Sequence, residues 1–388
     1  MAQWVVNPRG PKAAGGPIGP EPSRASYSFH RRLDGYAPTR LMEAPTLARA
    51  LGVGRVWTKL ETERFGLPAF KILGGSWAAY RRLLGALSEV TGSDSESEPR
   101  WSGLAELREA LAPVLPCRLV TATDGNHGRG VARVARLFGL EASVFVPAGT
   151  ARARIEAIAS EGAQVEVVDG SYDETVAVAS QLAGPRSFLI QDTSWEGYED
   201  VPAWVIEGYA TLLFEIDEAR EANDWPAPDV VFVPVGVGAL LAAVLAHASR
   251  RWPGARIVGV EPQGADCTLR SLAEGHSVSV PGPHRSMMAG LNCGTLATIV
   301  WPLVRAGLDG ALVVDEEHCA EAVRLHHQSG VDVGESGAAS LAALVALARD
   351  PGLASAREAL GLGGDAGVLV LVTEAVTDPQ NWRRIVQG

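Results

Sequence analysis

The chain is poor in cysteine, aromatic residues and uninterrupted apolar runs. Its four cysteines in 388 residues, Cys117, Cys267, Cys293 and Cys319, form no Cys-x-x-Cys pair, so neither a zinc site nor a secreted disulfide scaffold is indicated. Basic residues are fewer than acidic ones, 34 against 45, and the net charge of −11 is dispersed, which argues against nucleic acid as a partner. The longest apolar stretch, residues 230–246, is broken by Pro234, Gly236 and Gly238 where a membrane helix should be continuous. It reads as a buried strand running into a helix, with no membrane as partner. Residues 1–26 are rich in proline and glycine and lack the apolar core of a signal peptide. A flexible N-terminal arm on a cytoplasmic protein is expected.

What remains is an ordinary soluble composition, 47% apolar and 20% charged, with length for about two to three typical domains. From residue 117 onward β-rich runs alternate with helical periodicity. Strands are predicted at 119–121, 142–147, 165–168 and 187–191, with helices at 128–138, 152–160 and 173–182 between them. The pattern resumes with strand 230–235, helix 239–250, and strands 257–260 and 368–372. This order predicts the α/β class, as two open three-layer α/β/α domains with mostly parallel sheets. Residues 1–80 with 190–388 are expected to form the larger domain and 81–189 the smaller. The polar tract 91–99 reads as a solvated loop. Ligands of open parallel sheets sit beyond the carboxyl ends of the strands, so the residues just after each strand matter most.

Lys71 lies in Arg64-Phe65-Gly66-Leu67-Pro68-Ala69-Phe70-Lys71-Ile72-Leu73-Gly74-Gly75-Ser76. Apolar neighbours strip hydration from an ammonium, and the neutral amine this favours can attack an aldehyde to form a Schiff base. A lysine opening a helix with its head in water has the same local signature. After the strand at 119–121 comes Thr123-Asp124-Gly125-Asn126-His127-Gly128, leading into a helix. Free N–H groups there suit a substrate carboxylate, and equally an ordinary helix cap with turn glycines. Gly236-Val237-Gly238-Ala239-Leu240 is a short phosphate cradle, or simply close packing of helix on strand. It lacks the third glycine of a dinucleotide fingerprint, which excludes a nicotinamide dehydrogenase, and the Lys-Ser/Thr of a P-loop. Asp192, at another strand end, is a candidate acid or a helix cap. Thr373 could hydrogen-bond a ring nitrogen or merely fill a strand position.

Together these segments resemble the fold-type II pyridoxal-phosphate enzymes, the tryptophan synthase β-subunit superfamily, and within it the diaminopropionate ammonia-lyases. The resemblance rests on Arg-Phe-Gly-Leu-x-Ala-Phe-Lys ending at Lys71, the run from Thr123 to Ala132, and Gln-Asp-Thr-x-Trp-Glu-Gly-Tyr at 191–198. Met-Ala-Gly-Leu-x-Cys-Gly at 288–294 and Gly-Glu-Ser-Gly-Ala at 334–338 extend it. It implies pyridoxal 5'-phosphate in the cleft between two domains, bound to Lys71 beside Phe70. Asn126 would bond the ring hydroxyl, Gly236, Val237, Gly238, Ala239 and Leu240 would cradle the phosphate, and Thr373 would face the pyridine nitrogen. A neutral hydroxyl there makes the ring a weaker electron sink, which favours loss of a β-substituent. Thr123, Asp124, Gly125, His127 and Ser76 would line the place of an amino-acid substrate. A homodimer is implied, and no metal is expected.

Many relatives acting on hydroxyl substrates carry a small residue, such as Ser or Ala, where Asp124 stands. A carboxylate beside the substrate's own carboxylate is repulsive unless a cation intervenes, and a second ammonium on the substrate would supply one. A leaving amine must also depart protonated. Both points favour 2,3-diaminopropionate. The resemblance implies that both enantiomers react, with acidic groups on opposite faces of the Cα–H bond, and Asp124 is assigned as base for the D-isomer and Asp192, with Lys71, for the L-isomer. Elimination would give aminoacrylate, then pyruvate, with two ammonia molecules released. Alternatives are elimination or replacement on another β-substituted amino acid, and a cofactor-holding protein without turnover. Lys71 retained with both aspartates argues against the last. The chain departs from the lyase pattern at Pro68, Leu241 and Ala375, which bears on substrate preference more than on cofactor use. Cys267 and Cys293, where lyase relatives also carry cysteine, are two buried thiols or a disulfide.

Overall fold

The computed structural model describes residues 2–8, 16–92, 98–123 and 125–388; most of the polar tract and Asp124 lie outside the described residues. The chain divides into two compact units, Met1–Pro22 with Pro38–Glu63 and Leu212–Gly388, and Ser23–Ala37 with Arg64–Thr211. The Lys71 segment and the helix Ile72–Thr91 therefore group with the smaller sheet, where the sequence reading put residues up to 80 with the larger one. Close backbone packing explains this. A Cβ on Gly130, in the helix Asn126–Phe138, would stand 3.1 Å from the Ile72 nitrogen.

The larger unit is built on seven strands in the order Gln3–Val6, Gly310–Val314, Arg256–Pro262, Val230–Pro234, Gly367–Val372, Arg55–Leu60, Leu41–Glu43. The inner pairings are parallel and both edge strands are antiparallel. Val230–Pro234 and Gly367–Val372 are buried throughout, as continuous apolar strands of a covered parallel sheet should be. The alanine-rich helix Glu335–Arg349 lies so near the sheet that the Ser340 hydroxyl is 2.8 Å from the Phe232 carbonyl and 3.1 Å from that of Leu371.

The expected free arm is docked where it is described. Gln3–Val6 extends the sheet edge, Asn7 Nδ2 donates to the Leu308 carbonyl at 2.9 Å, and Ile18 N donates to Ser249 Oγ at 3.0 Å with its side chain buried. Pairing satisfies an edge that would otherwise expose backbone donors and acceptors.

The smaller unit carries four parallel strands in the order Gln164–Val168, Glu141–Pro147, Arg118–Ala122, Ser187–Leu189. Chain order runs outward from Arg118–Ala122 in one direction and then returns to its other side. That reversal makes a topological switch point between Arg118–Ala122 and Ser187–Leu189. The larger sheet has its own, between Val230–Pro234 and Gly367–Val372.

Candidate active site

At the switch point of the smaller sheet, Gln191 ties the two strands together. Its Oε1 accepts from Thr121 Oγ1 and from Ala122 N, both at 3.0 Å, and its Nε2 donates to the Tyr172 hydroxyl at 2.9 Å. The next residue, Asp192, is buried and receives Lys71 Nζ at 2.6 Å; His127 Nδ1 stands 3.8 Å from the same oxygen. His127 Nε2 donates to the Ile190 carbonyl at 2.8 Å, which fixes the ring. Burial alone would raise the affinity of Asp192 for a proton. The charges of His127 and Lys71 outweigh it and hold the carboxyl down at about 2. Tyr198 stacks on Trp195 at 4.4 Å, and its hydroxyl donates to the Leu189 carbonyl at 2.8 Å, which steadies this turn.

Lys71 precedes the first residue of the helix Ile72–Thr91, its side chain 23% exposed. Beside its apolar neighbours stands one carboxylate, that of Asp192, to which its ammonium donates. Its Nζ lies 5.7 Å from the Phe70 ring centroid, and that ring packs on Tyr209 at 4.7 Å.

Thr123 shapes the loop ahead of the helix Asn126–Phe138, its Oγ1 accepting from Gly125 N at 3.0 Å and Gly128 N at 3.1 Å. Asn126 opens the helix half-buried. Ser76 is not brought to this group. It is fully buried, with its hydroxyl 3.0 Å from His30 Nε2 and 3.3 Å from the Leu73 carbonyl. Tyr209 is the member that sequence reasoning missed. It lies inside the helix Asp200–Ala222, and nothing in its local sequence marks it.

The switch point of the larger sheet holds the glycine loop. Gly238 has φ +91°, and a Cβ there would stand 2.7 Å from Val300 Cγ1 and 2.8 Å from Leu296 Cδ2. A Cβ on Gly236 would meet the Gly290 carbonyl at 3.1 Å and Cys293 Sγ at 3.3 Å. Ala297 N donates to the Val237 carbonyl at 2.9 Å, and the helix Ala239–Arg251 then starts with no side-chain cap. Ala239 and Leu240 thus open that helix, buried against the sheet. Across the same switch point, Thr373 Oγ1 donates to the Ser336 carbonyl at 3.3 Å, and Ser336 Oγ accepts from Gly290 N at 3.0 Å. All four cysteines are free thiols, Cys267 buried and Cys293 half-buried. Among the described residues no group of three His, Cys, Asp or Glu is placed to hold a metal ion, and no helix is long and apolar enough to cross a membrane.

Residues 32–374 match the family model described as "Pyridoxal-phosphate dependent enzyme". The chain belongs to the pyridoxal-phosphate dependent enzyme family. It is 36% identical over 373 residues to the diaminopropionate ammonia-lyase of Escherichia coli (strain K12), covering 94% of this chain and 91% of that protein. Two crystal structures of the Escherichia coli lyase superpose on all of this chain and 97% of theirs at 33% identity. One is a complex with D-serine, TM-score 0.88; the other holds an aminoacrylate-PLP azomethine reaction intermediate, TM-score 0.86. The architecture is that of the fold-type II members of this family, and the cofactor is pyridoxal 5'-phosphate.

The residues present fit that cofactor. Lys71 offers an amine that is partly exposed and fixed by one carboxylate. Gly238 has a positive φ and no room for a Cβ, Gly236 has little, and an uncapped helix start would present N–H groups to a phosphate.

Proposed function

We propose that this protein is an ammonia-lyase eliminating the β-amine of 2,3-diaminopropionate, with Lys71 holding the cofactor's aldehyde carbon. The observation that carries the reading is the Lys71–Asp192 pair at 2.6 Å, at a switch point, in a chain of this family. The likeness to diaminopropionate ammonia-lyases supports the substrate, and the aminoacrylate bound in one of them supports α,β-elimination. When bound, the cofactor draws electrons from the substrate's Cα, so that its proton is removed more easily and a β-substituent can leave.

The rest falls to the chain. Gly236 to Leu240 would hold the phosphate and Asn126 the ring hydroxyl, while Phe70 and Thr373 would bind the ring. The loop from Thr123 through Gly125 to His127 would hold the substrate carboxylate, with Thr123 Oγ1 keeping the Gly125 and Gly128 N–H groups in place. Asp192, which accepts from Lys71 at 2.6 Å, serves the L-isomer together with that lysine. It orients Lys71, whose released amine takes the Cα proton from the L-isomer and becomes the ammonium that Asp192 pairs. Asp124 takes the proton of the D-isomer and favours a β-ammonium over a β-hydroxyl. The β-ammonium leaves as ammonia with its bonding pair; one water then hydrolyses aminoacrylate to pyruvate and a second ammonia. A homodimer in the cytoplasm is part of the same reading.

The test is pyruvate release from D- and L-2,3-diaminopropionate beside D- and L-serine. The diamino acid should win by about a hundred-fold or more in kcat/KM, because a β-hydroxyl leaves the Asp124 carboxylate without its cation. Faster turnover of serine would refute the substrate assignment.

A further inference from the structure

Tyr209 is a buried titratable group that the mechanism above does not use. Its ring is fixed from two sides. Phe70 packs on it at 4.7 Å, and a Cβ on Gly74 would stand 2.7 Å from its Cε1 and 2.9 Å from its Cζ. The helices that carry them touch through backbone, since a Cβ on Gly208 would lie 2.8 Å from Gly74 Cα. Two glycines therefore press the phenol end of Tyr209 toward the start of the helix that Lys71 precedes. The side chain is 0% exposed, and its hydroxyl makes no well-formed hydrogen bond among the described residues. Burial pushes the phenol's pKa well up, Lys71 beside it pulls the other way, and Asp192 adds to the rise. The group thus stays a neutral hydroxyl.

A neutral hydroxyl can do what a carboxylate cannot. Asp192 only accepts, so it holds Lys71 as an ammonium alone. A phenol accepts from an ammonium and, by turning its O–H, donates to the lone pair of a neutral amine. We propose that Tyr209 is the positioning residue for Lys71, holding its side-chain nitrogen in both protonation states while it is detached from the cofactor. The Cα proton arrives on Lys71 Nζ, the phenol turns from donor to acceptor, and Tyr209 gains and loses no proton. This deepens the reading that Lys71 is the cofactor-holding residue and rests on it.

Tyr209→Phe keeps the ring and its packing and removes only the hydroxyl. Apo protein mixed with pyridoxal 5'-phosphate should gain the visible absorbance about ten-fold more slowly than wild type, the loss expected for one hydrogen bond to a charged or reacting group. Borohydride trapping should still place the adduct on Lys71. In steady state, kcat for L-2,3-diaminopropionate should fall about ten-fold or more, with KM and the D-isomer changed less than about three-fold. Attachment and L-turnover at wild-type rates would overturn the proposal. So would equal losses on both isomers with a lowered thermal midpoint, the outcome of a merely structural role. Absence of a Lys71 adduct in wild-type protein would overturn the lysine assignment itself, and the wild-type arm alone shows it.

Discussion

Lys59 and Lys71 each hold a carboxylate oxygen at 2.6 Å, Glu215 for one and Asp192 for the other, yet they sit in different chemical worlds. Lys59 is fully buried on the strand Arg55–Leu60 of the larger unit. It donates to the Thr39 carbonyl at 2.9 Å and lies 3.8 Å from a second carboxylate, Glu61. Thr39 closes the cluster, giving its hydroxyl to Glu61 at 2.6 Å and its N–H to Glu215 at 3.2 Å. Lys71, in the smaller unit, is 23% exposed, faces one carboxylate, and has a phenol rather than a second acid beside it. The first pair is a lock whose ammonium is needed to neutralise two acids. The second leaves its nitrogen accessible, so the same bond length serves attachment chemistry. Distance does not separate the two roles; exposure and the number of acids do.

Lys71→Ala should break the comparison most visibly. Turnover should fall by about a thousand-fold or more, and borohydride should trap no pyridoxyl adduct at position 71, while the fold persists. A variant that stays yellow with a reducible adduct would show that another amine does the work. Lys59→Met should do the reverse. The adduct at Lys71 should form, but two buried carboxylates lose their cation, at a cost of about 3–5 kcal/mol in stability. Denaturant unfolding at wild-type strength would mean that Lys59 is no lock.

Asp124→Asn separates the two faces of the substrate. Turnover of D-2,3-diaminopropionate should drop about a hundred-fold and that of the L-isomer far less, as expected for loss of one general base. Equal losses would end the division of labour between Asp124 and the Lys71–Asp192 pair.

The parallel α/β units and their strand ends were readable from alternating periodicities, because a covered parallel strand such as Val230–Pro234 is continuously apolar. The segments carrying Lys71, the glycine loop and Asp192 stood out as motifs, the last two at strand ends and Lys71 just before a helix. The resemblance joined Asp192 with Lys71 on the L-isomer, but their direct contact at 2.6 Å was not readable, since it depends on how the helix Ile72–Thr91 meets the sheet and no local spacing encodes that. The same is true of Tyr209, placed by Gly74 and Gly208 through a contact between helices. The described parts of residues 1–26 differ from a flexible arm because the short strand Gln3–Val6 gains its hydrogen bonds from Gly310–Val314, far along the chain. Ser76 looked like a ligand residue from its place after Lys71, but one helical turn carries its hydroxyl inward to His30.

The smallest effect sharpens the contrast between the units through pH. Asp192 is held near 2 against an ordinary 3.8, so its ion pair adds stability that is whole above about pH 4 and is lost as pH falls toward 2. Glu261, in the larger unit, is shifted the other way. Burial raises it to about 7 from 4.5, although Thr268 N at 2.7 Å and Leu269 N at 2.9 Å both donate to it. Between those values the folded protein keeps a proton that the unfolded chain has given up. Stability should therefore decline as pH rises from 4.5 to 7, by at most about 1.4 kcal/mol per pH unit. Urea unfolding at pH 5 and pH 7 should show that decline in wild type and a flatter response in Glu261→Gln, whose side chain stays neutral throughout. An equal slope in the variant would remove Glu261 as its source, and would leave the larger unit without the buried proton that distinguishes it from the Asp192 carboxylate, held ionised down to low pH in the smaller one.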